Sequence, residues 1–327
     1  MSFADAEAAG IHRLDIPTPF AVGRVNVYLI EDEPLTLVDA GPNSGTSLDE
    51  LQRQLGELGH TIEDIGLIVV THQHIDHIGL VSIVAKHSGA DVAGIEALAP
   101  YVENYSDSAG ADDEYATRIM LRHGISEDVT QALRSVSMAF RAWGAQTRIT
   151  RPLRDGERLE LRDRTLEVHF RPGHSPTDTI FLDRERRMLL AADHLLLHIS
   201  SNPLIARPLN GGERPQSLVM YLDSLAKTRD MDVDLILPGH GKPITDHRKL
   251  IDKRFAFHRR RAERIYGLIA ERPRTAYDVA QTLWGNVAVT QAYLALSEVI
   301  GHLDILGNAG RVREVEDGGV VRFEPAA

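Results

Sequence analysis

Between residues 72 and 77 the chain reads His-Gln-His-Ile-Asp-His, so His72, His74, Asp76 and His77 place several candidate metal ligands in one short segment. Neutral imidazole nitrogen and carboxylate oxygen are the donors that zinc and related divalent ions take. The segment follows Leu67-Ile68-Val69-Val70, an apolar, β-branched run that predicts a buried strand. Gly79 breaks the polar run, and a helical pattern begins at Leu80. Ligands at the carboxyl end of a strand, just before a helix, stand where open α/β folds place their chemistry. In an extended segment His72, His74 and Asp76 share a face, while His77 leaves on the other side of the turn. One loop would then serve two metal ions. For any single histidine, solvation in a polar loop is the simpler explanation, but H-x-H-x-D-H directly after a buried strand argues against it for the set.

Composition narrows the classes that these residues can serve. The chain of 327 residues is long enough for a sizeable core in one large domain or two smaller ones, and its formal net charge is −11. That charge disfavours general nucleic-acid binding, which needs a basic face, without excluding a local patch. There is no cysteine, hence no disulfide, no thiolate ligand and no Cys nucleophile. The first residues, MSFADAEAAG, lack the basic and apolar regions of a signal peptide, and no apolar run approaches the length of a membrane span. A cytoplasmic location is the expectation.

The elements that must position the ligands follow from periodicity. Strands are expected at 11–16, 25–30, 35–39 and 67–70, a helix at 46–59 with Leu48, Leu51, Leu55 and Leu58 on one face, a helix near 80–88 and a strand at 91–95. This alternation predicts an α/β layer architecture. Residues 96–147 interrupt it with helical patterns at 96–105, 114–124 and 126–143. Strands resume over 149–170, a hairpin covers 180–193, and a helix covers 215–230. A last buried strand, 234–238, runs into Gly239-His240-Gly241, where the glycines let the backbone turn tightly.

Asp39-Ala40-Gly41, His72 to His77, Pro172-Gly173-His174-Ser175, Asp193 and Gly239-His240-Gly241 stand in this order at strand ends. In that arrangement the chain resembles the metallo-β-lactamase superfamily, whose fold is an αββα sandwich. The resemblance implies that His72, His74 and His174 hold one divalent metal and that Asp76, His77 and His240 hold the other, with Asp193 bridging. It places Asp76 and Asp193 among the catalytic residues and makes Asp39 the residue that orients a ligand. His194 and His198, which follow the bridging position, are candidates for substrate contact rather than for metal. The N/O donor set contains no sulfur; zinc is expected, and iron or manganese fit the same donors. Two such ions lower the pKa of a shared water toward neutrality, so no Ser or Cys nucleophile is required.

The expected organisation is a catalytic domain over 1–249, carrying the helical insertion at about 96–147, and a C-terminal module over 250–327. Helical patterns at 250–270, 275–284 and 291–306, the last closed by Gly307, precede a hairpin through Asp317-Gly318-Gly319. Three helices and a hairpin resemble the winged-helix module of one branch of the superfamily, which includes glyoxalase II-like and lactamase-like proteins. Nearly balanced charge and the lack of Lys or Arg in the third helix disfavour DNA, so packing on the catalytic domain or on a second subunit, as in a homodimer, is expected. Arg259, Arg260, Arg261 and Arg264 form either a solvated face or a site for an anionic substrate tail. By resemblance the reaction is hydrolysis of an activated ester, an acyl thioester first. A lactonase or esterase, a metal-dependent endoribonuclease, and a non-enzymatic protein with a vestigial site are the alternatives. The complete ligand set speaks against the last.

Overall fold

A computed structural model describes residues 1–209, 211–285 and 291–326. Two sheets face each other. The first has six strands in the order β1 (Ile11–Ile16), β2 (Val25–Ile30), β3 (Thr36–Val38), β4 (Leu67–Val70), β5 (Asp91–Ile95) and β6 (Arg151–Leu153). The second has five, in the order β11 (Leu235–Pro238), β10 (Met188–Ala192), β9 (Thr179–Asp183), β8 (Thr165–Phe170) and β7 (Arg158–Glu160). β1, β2 and β3 pair antiparallel, and β3 to β6 run parallel with helices in the connections, as crossover geometry requires.

Strand alternation decides what each face covers. From the second sheet Leu166, Val168, Phe181, Met188, Leu190, Leu235 and Leu237 join the first sheet in one core. Their neighbours Ile180, Leu182, Leu189, Ala191 and Ile236 point the other way, against α8 (Ser217–Arg229) and the start of α9 (His247–Glu271). Leu51 and Leu55 of α2 (Gly45–Glu57), with Val81 and Val84 of α4 (Val81–Ser88), cover the first sheet from outside. The layers are therefore helix, sheet, sheet, helix. Both sheets direct the ends of β3, β4, β8, β10 and β11 into the loops that carry the candidate ligands.

Several local expectations change. A short helix, α1 (Phe3–Ala8), precedes β1, where the sequence shows only six residues of weak pattern. The segment after β4 is extended only as far as His74, and Ile75–Ile78 then form a helical turn, α3. Asp76 and His77 thus sit on that turn and not on an extended face. The strand region at 149–170 divides between the sheets, because β6 pairs with β5 while β7 pairs with β8. The last helix, α11 (Ala292–Asn308), runs through Gly307.

The insertion comprises α5 (Ala99–Val102), α6 (Tyr105–Arg122) and α7 (Glu127–Phe140), ending in a tight turn at Arg141–Trp143. Its buried side chains Ile119, Met120, Ile125 and Leu133 belong to the same core as Ile265, Ile269, Val279, Leu296, Ile300 and Phe323. These come from α9, α10 (Ala276–Trp284), α11 and the final hairpin of β12 (Val312–Asp317) and β13 (Val320–Pro325). The insertion and the C-terminal elements are one packed body. Among the described residues no helix is long and apolar enough to cross a membrane.

One shared core makes these two regions energetically dependent. Ile125→Ala, at a position 2% exposed, should destabilise that body by about 2–5 kcal/mol. Amide exchange should then accelerate in α10 and α11 as well as in α6. Acceleration confined to the insertion would show separate cores.

Candidate metal centre

The first cluster is made by a two-residue spacing on an extended segment, completed from the other sheet. His72 Nε2 lies 3.1 Å from His74 Nδ1, and His174 Nε2 lies 2.9 Å from that same atom. His174 reaches it from the turn after β8. Three nitrogens around one tetrahedral zinc would stand about 3.3 Å apart, so this grouping has the right scale. The hydrogen bonds on the far side of each ring show why protons alone do not satisfy it. Thr71 Oγ1 donates to Asp39 Oδ2 at 2.8 Å and so can accept from His72 Nδ1 at 3.0 Å. His174 Nδ1 donates to the Asn202 carbonyl at 3.2 Å. Both Nε2 atoms then carry lone pairs, and His74 can share only one proton with the two of them.

The second cluster gathers Asp76 and His77 from α3 and His240 from the turn after β11. His240 Nε2 is 3.3 Å from Asp76 Oδ2. His77 Nδ1 donates to Asp39 Oδ2 at 2.7 Å, and His240 Nδ1 donates to the Arg24 carbonyl at 2.8 Å. Their Nε2 atoms are buried and, among the described residues, have no hydrogen-bond partner; the same holds for Asp193 Oδ1. Asp193, at the end of β10, stands between the clusters. Its Oδ2 is 3.6 Å from both His174 Nε2 and His240 Nε2, and its Oδ1 is 3.6 Å from His77 Nε2. All of the expected ligands are thus brought together, and the orphaned lone pairs fit a pair of divalent cations.

Electrostatics separate the clusters. Burial and the neighbouring histidines hold His72 well below its ordinary pKa, and burial with the adjoining His174 takes His74 down to about 3. Burial also opposes the charged form of His77 and His240. There the carboxylates prevail: Asp39, Asp193 and Asp76 lift His77 well above its ordinary value, and Asp193 and Asp76 raise His240. Burial works against ionised Asp193 too, yet His240 and His77 hold it well below the usual carboxylate range.

The backbone is shaped to bring these groups together. Asp39 and Ala192, at the ends of β3 and β10, have φ of 60° and 41°, left-handed values that side-chain-bearing residues adopt only where the surroundings enforce them. Gly239 is required by close approach, since a Cβ there would lie 2.3 Å from Asp193 Oδ1 and 3.0 Å from His77 Cε1. Asp39 occupies the place expected of it, on His77. His194 does not face the clusters: it is buried, with Nε2 2.9 Å from Thr228 Oγ1 on α8. Its neighbour Tyr221 donates to its carbonyl, so the expected substrate contact is corrected to a packing role. His198 is exposed on the segment beyond Asp193.

Sequence reasoning passed over four supporting residues. Thr71 joins Asp39 to His72. Asn26 Nδ2 donates to the Pro238 and Gly241 carbonyls at 2.9 and 3.1 Å, and Tyr28 Oη donates to Pro238 at 2.7 Å, so the turn bearing His240 is braced from β2. Asp178 accepts from the Ser175 amide and hydroxyl, closing the turn that bears His174. Asn26 leaves a sequence signal, as a lone amide inside the apolar run Val25–Ile30.

Comparison with known proteins agrees with this architecture. Residues 21–240 match the description "Metallo-beta-lactamase superfamily". The chain belongs to that superfamily. Residues 262–326 match "Metallo-beta-lactamase-like, C-terminal domain". The probable metallo-hydrolase YqjP of Bacillus subtilis is 32% identical over 309 residues, covering 94% of this chain and 96% of its own. Among solved structures, a metallo-beta-lactamase family protein of Thermus thermophilus, TTHA1429, aligns with a TM-score of 0.81 at 29% identity, covering 97% of this chain and 98% of that one. A beta-lactamase domain protein of Burkholderia ambifaria aligns with a TM-score of 0.83 at 25% identity, covering 97% and 92%.

Two expected outcomes follow from the geometry. Protons compete with metal at His77 and His240 at a higher pH than at His72 and His74. Acidification from about pH 8 to about pH 5 in the presence of a chelator should therefore release the ion at Asp76, His77 and His240 first. Zinc content after stepwise dialysis would show one equivalent leaving before the other, and a single simultaneous loss would count against the assignment. Gly239→Ala should lower metal content to below one equivalent while circular dichroism shows the fold retained.

Proposed function

We propose that the chain is a metal-dependent hydrolase of activated carboxylic acid derivatives, with acyl thioesters as the leading substrate class. The observation that carries the reading is the convergence of unpartnered Nε2 and carboxylate lone pairs on both sides of Asp193. Two divalent cations, zinc first among them, would supply Lewis acidity and a water acidified to neutral pH. The chain's own residues supply the rest. Asp193 spans both clusters, Asp76 and His240 close the second, and Asp39 fixes which nitrogen of His77 faces inward. The chain has no cysteine to act as a nucleophile. The similarity to a probable metallo-hydrolase over nearly the full chain supports hydrolysis as the reaction class.

Preference for an acyl group is supported by an aromatic contact beside the second cluster. Phe20, on the loop between β1 and β2, packs edge-on against Phe140 and Trp143 at the end of the insertion, with ring centroids 5.7 and 6.4 Å away. The loop is tied to His240 through the Arg24 carbonyl. The insertion end is seated on α3, where a Cβ on Gly144 would lie 2.9 Å from Ile75 Cγ2. Val22, Met138 and Phe140 remain 38%, 55% and 41% exposed there, leaving apolar surface for a substrate chain. His198 is retained as a candidate substrate contact. A net charge of −11 disfavours a nucleic-acid substrate, which needs an extended basic face. The reading extends to a cytoplasmic enzyme of the glyoxalase II-like branch whose C-terminal helices and hairpin form a winged helix.

The test is free-thiol release from a panel of acyl-CoA and acyl-glutathione thioesters by the zinc-loaded protein. Asp193→Ala should lower turnover by at least about 100-fold. Phe20→Ala should lower kcat/KM for long acyl chains by about 10-fold and leave acetyl transfer to water unchanged. Hydrolysis of lactones or simple esters without thiol release would reassign the substrate within the same reaction. Cleavage of single-stranded RNA alone would overturn the carboxylic acid class.

A further inference from the structure

Helices α9 and α11 reach the metal centre through a segment of backbone. Residues 194–207 leave Asp193, meet His174 at Asn202, and enter the core shared by the insertion and the C-terminal helices at Ile205. Along the way each part of the segment is held. Ser201 Oγ donates to the Asp193 carbonyl. The Asn202 carbonyl accepts from His174 Nδ1 at 3.2 Å, while the Asn202 side chain donates to the Leu294 carbonyl in α11 at 3.2 Å. Two more α11 residues take up Ile205: Tyr293 Oη donates to its carbonyl at 2.9 Å, and Ser297 Oγ accepts from its amide at 3.3 Å. From α9, Arg254 Nη2 reaches the carbonyls of Leu196, Leu197 and Ile199 at 3.0, 3.4 and 2.7 Å.

We propose that the C-terminal body sets the geometry of the His72–His74–His174 site through the 194–207 segment, with Arg254, Asn202 and Tyr293 as positioning residues. The physical argument rests on how His174 is oriented. Among the described residues its Nδ1 has a single partner, a backbone carbonyl, and that bond fixes both the tautomer and the ring direction that aim Nε2 at His74. A carbonyl in a segment outside helices and strands holds its place only as firmly as the segment is tied down. Here Ser201 ties it to the end of β10, while α11 holds Asn202 and Ile205 and Arg254 of α9 holds the carbonyls before them. The second cluster is built otherwise: His77 is oriented by Asp39, and His240 by β2 and the loop before it. Loosening the segment should therefore weaken one ion and spare the other. The inference rests on the reading of His72, His74 and His174 as ligands, but not on any substrate.

The test uses the full chain and reads metal affinity, by competition with a chromophoric chelator, in two backgrounds. In His240→Ala one equivalent of zinc should remain, at the His72–His74–His174 site. Arg254→Met, which keeps the apolar stem, and the milder Asn202→Ala and Tyr293→Phe should each weaken that equivalent, by about 10- to 100-fold for the strongest of them. Arg254→Lys, which can still donate to carbonyls, should restore part of the loss. In His74→Ala, where the remaining equivalent sits at Asp76, His77 and His240, the same substitutions should leave affinity unchanged. Near-ultraviolet circular dichroism checks that each variant is folded; the single-hydroxyl deletion in Tyr293→Phe keeps the comparison open if Arg254→Met is not. Equal affinities in the first background, or equal weakening in both, would overturn the inference. A parent protein that binds no zinc would instead overturn the ligand assignment beneath it.

Discussion

Buried lone pairs that face one another are the constraint on which the rest of this structure depends. His72, His174, His77 and His240 each spend one ring nitrogen on a protein partner and turn the other toward neighbours that hold too few protons to satisfy them all. Such an arrangement is unfavourable unless a cation occupies the space between. In the second cluster the nearby carboxylates let protons serve, which is why His77 and His240 are raised; in the first, burial leaves His72 and His74 neutral. The contrast is one of surroundings rather than of residue type.

Holding this arrangement takes features that are costly in isolation. Asp39 and Ala192 adopt left-handed backbone conformations, and Gly239 gives up a side chain so that Asp193 and His77 can close on it. Each lies at a strand end, where the ladder on one side fixes the chain and the loop on the other is free to turn. The sheets therefore act as a rigid frame, and the ligands hang from its edges.

The C-terminal elements complete the frame. Their core is continuous with that of the insertion, so the helices bordering the aromatic contact at Phe20 and the helices holding the 194–207 segment pack on one core. The buried apolar side chains of α6 and α7, Ile119, Met120 and Leu133, turn inward to this core. The end of the insertion, at Phe140 and Trp143, packs on Phe20 beside the second cluster.

How much of this could be read without a structure depends on whether the information was local. The cluster from His72 to His77 was legible because its residues lie within one turn of chain after a buried strand, where spacing and burial can be judged together. His174, Asp193 and His240 could be seen as polar residues near strand ends, but only the resemblance to the superfamily made them ligands; the helix and strand order followed from periodicity. What the tertiary structure decided was relational. Which nitrogen of each imidazole faces inward depends on partners as distant in sequence as Arg24 from His240 and Asp39 from His77. The division of β6 and β7 between two sheets depends on pairing that no local pattern encodes. Asp76 on a helical turn, His194 turned toward α8, and Arg254 reaching across to the segment beyond Asp193 each depend on packing between elements far apart along the chain. Residue types and spacing suffice to nominate ligands; their orientation is fixed by hydrogen bonds that only the folded chain can form.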